Sequence, residues 1–281
     1  MKKKPIDEIR EKLAESISED KIFYIPEKWE KIGDILILKI DEKLADYKKH
    51  LGRVYADVLN SRSVLEDTGG IQGEFRKPKV KHIYGDLDTE TIHKENNVFF
   101  KLDPKKIMFS SGNMSERIRI SKIVDEDEIV MDLFAGIGYF SIPIAVHSKP
   151  TKIFACEKNR EAYSYLCYNI KKNNVSDIIT PVLGDNREID IKNKADRIIM
   201  GYIGKTIRFL PSALEKIKEK GGIIHFHDTF ADDQVPKNTF DKFKEKTKKY
   251  GYKSDLIRHI KVKNYAPGIS HYVFDIRLKK I

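Results

Sequence analysis

Three groups of residues in the second half of the chain have the types and spacing to hold a nucleotide-like ligand. The first is Val130-Met-Asp-Leu-Phe-Ala-Gly-Ile-Gly-Tyr-Phe-Ser141, a short apolar run that ends in Asp132 and opens into a loop carrying Gly136 and Gly138. The second is Glu157, which closes the run Ile153-Phe-Ala-Cys-Glu157. The third is Gly184-Asp185-Asn186, at the end of another apolar stretch. Glycines at a strand-to-helix turn let a ligand approach bare backbone. Three ligands compete for such a loop. A triphosphate calls for a lysine and a hydroxyl residue after the glycines, and neither follows Gly136 or Gly138. A dinucleotide calls for a third glycine where Ser141 stands, and Asp132 would repel its pyrophosphate. S-adenosylmethionine carries a sulfonium and an ammonium and no phosphate, so an acid near the loop suits it. Glu157 can accept both ribose hydroxyls, and Asp185 with Asn186 can meet the adenine amino group and ring edge. Acids at strand ends also cap the helices that follow them. The ordered set at successive strand ends favours S-adenosylmethionine over capping.

Other constellations point less far. His225 and His227 share one face of the run Gly221-Gly-Ile-Ile-His-Phe-His-Asp228, but no third ligand at metal spacing accompanies them. They read as a packed or hydrogen-bonded pair, and no metal is expected. No Ser-His-Asp or Cys-His arrangement can be argued, and no catalytic residue is assigned.

The groups need a scaffold, and the pattern around them supplies one. From about residue 113 the chain alternates helix and strand: helix 113–124, strand 129–134, helix 138–148, strand 152–156, helix 159–173, strands 179–184 and 196–201, helix 206–220, strand 222–227, helix 237–250, and strands near 254–263 and 270–278. Such alternation implies a mostly parallel sheet with helices on both faces, whose ligand lies at the C-terminal ends of the strands. Residues 6–18, 34–40 and 42–59 read as helix, strand and helix, with short β patterns over 62–109. The expected division is a smaller α+β domain over 1–109 and a Rossmann-like catalytic domain over 110–281.

Composition adds a partner. The 281 residues carry a formal net charge of +10, and residues 237–281 hold 13 Lys and Arg against 4 Asp and Glu. A basic excess beside a catalytic domain suits a polyanion, although a lysine run is commonly a solvated helix face. A second basic strip runs from Arg76 to His82. No apolar run approaches the roughly 18 residues of a membrane helix, and no signal-peptide core follows the first methionine, so the expected location is cytoplasmic. Cys156 and Cys167 read as packing residues.

The segment Lys106-Ile-Met-Phe-Ser-Ser-Gly-Asn-Met-Ser-Glu-Arg-Ile-Arg-Ile120, joined to the glycine loop and to Ala195-Asp-Arg-Ile-Ile-Met-Gly-Tyr-Ile-Gly-Lys-Thr206, resembles a family of S-adenosylmethionine enzymes that act on tRNA. The family contains the archaeal and eukaryotic guanosine-37 N1-methyltransferases and the wybutosine-synthesis aminocarboxypropyltransferases. The resemblance runs from about residue 30 to the C-terminus and implies the class I S-adenosylmethionine-dependent methyltransferase fold. It is closer to the aminocarboxypropyltransferase branch. The methyltransferase branch carries an Asn-Pro-Pro-like or Asn-Leu-Pro motif after its fourth strand, where this chain has Met200-Gly201-Tyr202. The resemblance implies transfer of the 3-amino-3-carboxypropyl group to 4-demethylwyosine at position 37 of phenylalanine tRNA; N1 methylation of guanosine-37 and non-catalytic tRNA binding are the alternatives. It also implies that Ser110 and Arg117 hold the methionine moiety, with the guanidinium on its carboxylate. Otherwise Ser110 caps the 113–124 helix and Arg117 makes a surface pair with Glu116 or Asp125. No protein partner is implied.

Overall fold

The computed structural model describes residues 3–281, and the chain divides into two units. The first runs to Glu95 and takes in Phe99–Ser111. It opens with α1 (Pro5–Ala14), which buries Ile9 and Leu13, and a single turn α2 (Glu19–Ile22). Strands β1 (Trp29–Ile32) and β2 (Ile35–Leu38) form a tight hairpin across Gly33, whose φ of +58° suits a residue without Cβ. The helix expected over 42–59 begins as a 3₁₀ turn, Glu42–Tyr47, and becomes α3 (Lys48–Leu59), which buries Leu51, Val54 and Tyr55 along one stripe. Strands β3 (Ser63–Gln72) and β4 (Lys77–Gly85) complete a four-stranded sheet in the order β1-β2-β3-β4. A two-stranded sheet, β5 (Thr91–Glu95) with β6 (Val98–Leu102), follows.

The second unit holds Asn96–Val98 and Gly112–Ile281. After α4 (Met114–Ile120) come β7 (Ile129–Asp132), α5 (Ser141–His147), β8 (Lys152–Glu157), α6 (Arg160–Lys172), β9 (Ile179–Leu183) and β10 (Arg197–Met200). Then follow α7 (Leu210–Lys216), β11 (Gly221–Ala231), α8 (Lys237–Lys249), β12 (Tyr252–Ala266) and β13 (Ile269–Lys280). The seven strands lie in the order β12-β13-β11-β10-β7-β8-β9. Strands β11 to β9 in this order are parallel, while β13 joins β11 antiparallel and turns back on β12. The fold is therefore the Rossmann-like one that the alternating pattern implies. Several elements differ in length from that pattern. The helix expected over 206–220 is a 3₁₀ turn, Thr206–Phe209, followed by seven residues of α7, because Ile217 is already extended and its N–H closes on Ala213. Strand β11 outruns 222–227 because it pairs along its whole length with β13. The last two strands form one long hairpin about Gly268, whose φ is +69°.

Connectivity selects one place for a ligand. The chain leaves β7 toward β8 and β9, then returns to the other side of β7 for β10 and β11. The strand order reverses between β7 and β10, and the crevice beyond the strand ends at such a switch point is where open α/β sheets bind ligands. The core beneath it is apolar: Met131, Leu133, Ile198, Met200, Ile224 and Phe226 are all buried.

Candidate functional site

The glycine loop grows out of the buried end of β7. Asp132 is fully buried; the Ser141 hydroxyl donates to Oδ2 at 2.8 Å and the Phe134 N–H to Oδ1 at 3.2 Å. This carboxylate ties the start of the loop to the first residue of α5. That tie explains why a serine stands where a dinucleotide loop has its third glycine. Burial pushes the Asp132 carboxyl up to about 6, against the hydrogen bonds from Ser141 and Phe134. Gly136 and Gly138 have φ of +58° and +100°, and a Cβ on Gly138 would come within 2.4 Å of Ile142. Neither position tolerates a side chain without strain.

Glu157 ends β8 beside this loop. Its Oε2 accepts the Gly136 N–H at 2.7 Å and its Oε1 accepts the Asn159 N–H at 2.6 Å. The cap of α6 is Asn159, whose side chain accepts from the Glu161 N–H, so capping is not what Glu157 does. Burial raises the Glu157 pKa, and the N–H groups of Asn159, Gly136 and Lys158 oppose the shift. One carboxylate thus joins the loop of the first strand to the end of the second.

Asp185 and Asn186 follow β9. Arg187 grips Asp185 through Nε at 2.8 Å and Nη2 at 2.6 Å and holds its carboxyl well below the usual range. Asp185 caps no helix, since no helix follows until α7. Asn186 is buried, donates from Nδ2 to the Leu133 carbonyl at 3.1 Å, and has an Oδ1 that meets no donor among the described residues. A buried acceptor without a donor is costly unless a ligand supplies one. The adenine amino group is such a donor, so these residues fit S-adenosylmethionine.

The remaining expected residues lie apart from this cluster in chain position. Arg117 sits on α4 and is only 2% exposed, so it lies in the interior and not on the surface. Glu116 pairs instead with Arg119, bidentately at 2.7 and 2.8 Å, and Arg119 also grips Asp275 of β13 at 2.7 and 3.0 Å. Asp275 in turn takes a 2.6 Å bond from His225 Nδ1, and Arg197 donates to His225 Nε2 at 2.8 Å. The imidazole is therefore neutral, with its proton on Nδ1. Burial lowers its pKa, against the pull of Asp275. Arg197 ends the chain of contacts on Glu128. His227 bonds to His271 at 3.2 Å and not to His225. This network, which fixes α4 against the sheet, was invisible in the sequence except for the strand-face placement of the two histidines. Ser110 is half-buried in the first unit and does not cap α4, whose N-cap position is Asn113.

Aromatic residues complete the strand-end face. Phe134, two residues beyond Asp132, stacks on Tyr202, two residues beyond β10, with centroids 5.1 Å apart and planes at 29°. Phe209 meets both edge-on at 4.8 and 5.6 Å.

Residues 91–255 match the TRM5/TYW2 methyltransferase domain and residues 9–89 match the TYW2 N-terminal domain. The chain belongs to this family. It is 43% identical over 272 residues to a tRNA(Phe) (4-demethylwyosine(37)-C(7)) aminocarboxypropyltransferase of Pyrococcus horikoshii, covering 97% of this chain and 96% of that protein. It is 38% identical over 256 residues to a tRNA (guanine(37)-N(1))-methyltransferase Trm5b of Pyrococcus abyssi, covering 91% and 76%. Among solved structures, P. horikoshii TYW2 in complex with MeSAdo superposes with a TM-score of 0.89 at 40% identity, covering 98% of this chain and 100% of that one.

Proposed function

We propose that this protein transfers the 3-amino-3-carboxypropyl group of S-adenosylmethionine to 4-demethylwyosine at position 37 of phenylalanine tRNA. The observation that carries the reading is the pairing of the two domains in one chain. A TYW2-type N-terminal domain precedes the shared catalytic domain, and identity to the aminocarboxypropyltransferase extends over nearly the whole of both proteins. The strand-end face agrees with it. At the end of β10 stands Met200-Gly201-Tyr202, with no side-chain amide to hold a guanine edge.

A sulfonium has three electrophilic carbons, and the one placed in line with the nucleophile reacts. Attack by C7 of the base on the terminal carbon of the aminocarboxypropyl chain breaks that carbon–sulfur bond. The electron pair returns to sulfur, the base loses a proton, and 5′-methylthioadenosine is left. We assign the ribose diol of the donor to Glu157, the adenine edge to Asp185 and Asn186, and the close backbone approach to Gly136. We assign the methionine carboxylate to Arg117, whose guanidinium fork matches it. Ser110 keeps the role that the family resemblance gives it. Residues 1–109 are taken as an accessory, tRNA-contacting domain and 110–281 as the catalytic one. The site of action is taken to be the cytoplasm; among the described residues no helix is long and apolar enough to cross a membrane.

Incubating the protein with tRNA and S-adenosylmethionine labelled separately in the carboxyl and methyl carbons tests the reading. Carboxyl label is expected in the tRNA. Methyl label alone would make the protein a guanosine-37 methyltransferase, the activity of its 38% identical relative. Neither label would leave a tRNA-binding protein.

A further inference from the structure

The loop from Gly201 to Thr206 connects β10 to α7 on the strand-end face, and it is held with unusual care. Asp228 of β11 accepts the N–H groups of Gly204 at 2.8 Å, Thr206 at 2.9 Å and Thr229 at 2.8 Å. The Thr206 hydroxyl donates to the Tyr202 carbonyl at 2.7 Å. Gly204 and Lys205 both adopt positive φ, +92° and +73°. Glycine does so freely; a lysine does not, and strain of this kind persists only where the surroundings enforce it. The enforced conformation leaves Lys205 exposed at the tip, while Tyr202 lies against Phe134 as a half-buried ring. Gly201 is confined as well, since a Cβ there would sit 3.1 Å from Phe140. The clamp therefore fixes an aromatic ring and a cation at the switch point, one strand away from the glycine loop.

We propose that Tyr202 is the stacking platform for the substrate base, with Lys205 on a neighbouring phosphate of the tRNA. This inference rests on the proposed function and names the group that recognises its acceptor. A fused tricyclic base is planar, its third ring occupies the edge through which guanine offers hydrogen bonds, and its wide π-face is what remains for recognition. Phe134 backs the Tyr202 ring, and Phe209 closes its edge with the Arg187 guanidinium 5.0 Å from the centroid of Phe209. A platform built this way does not yield when a base presses on it. Phe134 belongs to the same loop as Gly136 and Gly138, so a base on the platform lies beside the part of the chain assigned to the donor. The fused third ring adds stacking area that guanine lacks, so the platform also discriminates between the two.

The test compares binding and transfer with two probes: tRNA carrying 4-demethylwyosine at position 37 and the same tRNA with guanosine there. Tyr202→Ala is expected to weaken binding of the first by about five- to hundredfold. Binding of the second should fall less, and S-adenosylmethionine affinity should stay within about twofold. Tyr202→Phe keeps the π-face and should keep the preference for the first tRNA over the second. Should the alanine variant fail to fold, Tyr202→Leu fills much of the same space without the π-face and is expected to show the same discrimination. Lys205→Gly retains the positive φ without the cation and should flatten the salt dependence of tRNA binding by about one phosphate contact. Equal losses on both tRNAs, unchanged binding of the first tRNA, or a parallel loss of S-adenosylmethionine affinity would each overturn the platform. A wild-type protein that transfers no carboxyl label would overturn the proposed function instead. Normal wild-type transfer beside an insensitive Tyr202→Leu variant would overturn this inference alone.

Discussion

Two carboxylates one strand apart divide the work at the residue level. Glu157 accepts the N–H groups of Gly136 and Asn159 at its two oxygens and is half-buried at the end of β8. Replacing it with alanine removes both a support of the glycine loop and the proposed diol contact. Hydrogen bonds to a charged group contribute about 1.5–3 kcal/mol, so S-adenosylmethionine affinity should fall roughly ten- to hundredfold by calorimetry. Unchanged affinity in a folded variant would leave Glu157 with the loop alone. Asp132 is different because it is sealed. Its folded pKa of about 6 lies above the ordinary value of 3.8, so the folded state holds its proton more tightly than the unfolded state does. Its contribution to stability is therefore full below pH 3.8 and is lost as pH rises through 6. Asp132→Asn keeps the Phe134 N–H bond, can donate to the Ser141 oxygen, and carries no charge. In urea unfolding it should match or exceed wild type at pH 8, by up to about 3 kcal/mol. The difference should shrink toward pH 5. A variant clearly less stable at pH 8 would show that the ionised carboxylate holds the loop better than an amide can.

At the level of elements, the instructive case is α4, seven residues long and held by charges. Arg119 joins Glu116 of its own helix to Asp275 of β13, and both carboxylates are buried. Burial opposes the charge on Asp275, yet His225 and Arg119 together hold its carboxyl below the usual range. Removing one partner from such a set leaves buried charge uncompensated, a loss of roughly 3–5 kcal/mol. Arg119→Leu should lower unfolding stability by that order, and adding Asp275→Leu should restore part of it in a double-mutant cycle. Additive losses would mean that the two residues do not share one network. The same helix shows what the sequence could and could not disclose. The glycine loop, Glu157 and Asn186 were legible because each answers a local demand at the end of its own strand. Arg119 and Asp275 stand 156 residues apart, and their meeting depends on β13 entering the sheet antiparallel beside β11. No periodicity within either segment encodes that. A turn signal was present in Pro267-Gly268, which joins the two final strands into the hairpin that carries Asp275. Tyr202 stands out in the sequence only as a departure from a motif, because its partner Phe134 follows β7, a strand that becomes the neighbour of β10 through the sheet order alone.

Across the whole molecule the charge is unevenly placed, and the fold concentrates it further. Most of the excess of residues 237–281 is carried on α8 and β12, which pack against one another at the edge of the seven-stranded sheet. Helix α8 buries Phe243 and Thr247 and turns Lys246, Lys248 and Lys249 outward in its last turn. There they also complement the negative end of the helix dipole, so part of their presence has a local cause. Arg258 and Lys261 extend the cationic surface along β12, with Lys261 paired to Asp232. A solvated helix face and a tRNA path make different predictions for the same three lysines. Phosphate contacts release counterions, so each one lost lowers the slope of log affinity against log salt by about 0.7–0.9. Changing Lys246, Lys248 and Lys249 to glutamine should therefore weaken tRNA binding at low salt and flatten its salt dependence by up to three such steps, with S-adenosylmethionine affinity unchanged. Filter binding across a salt series measures both quantities on one preparation. If the slope and the affinity both survive, the lysines serve the helix end only, and the electrostatic path for tRNA runs over other cations, such as Lys77, Lys79 and Lys81, which stand exposed at alternate positions of β4.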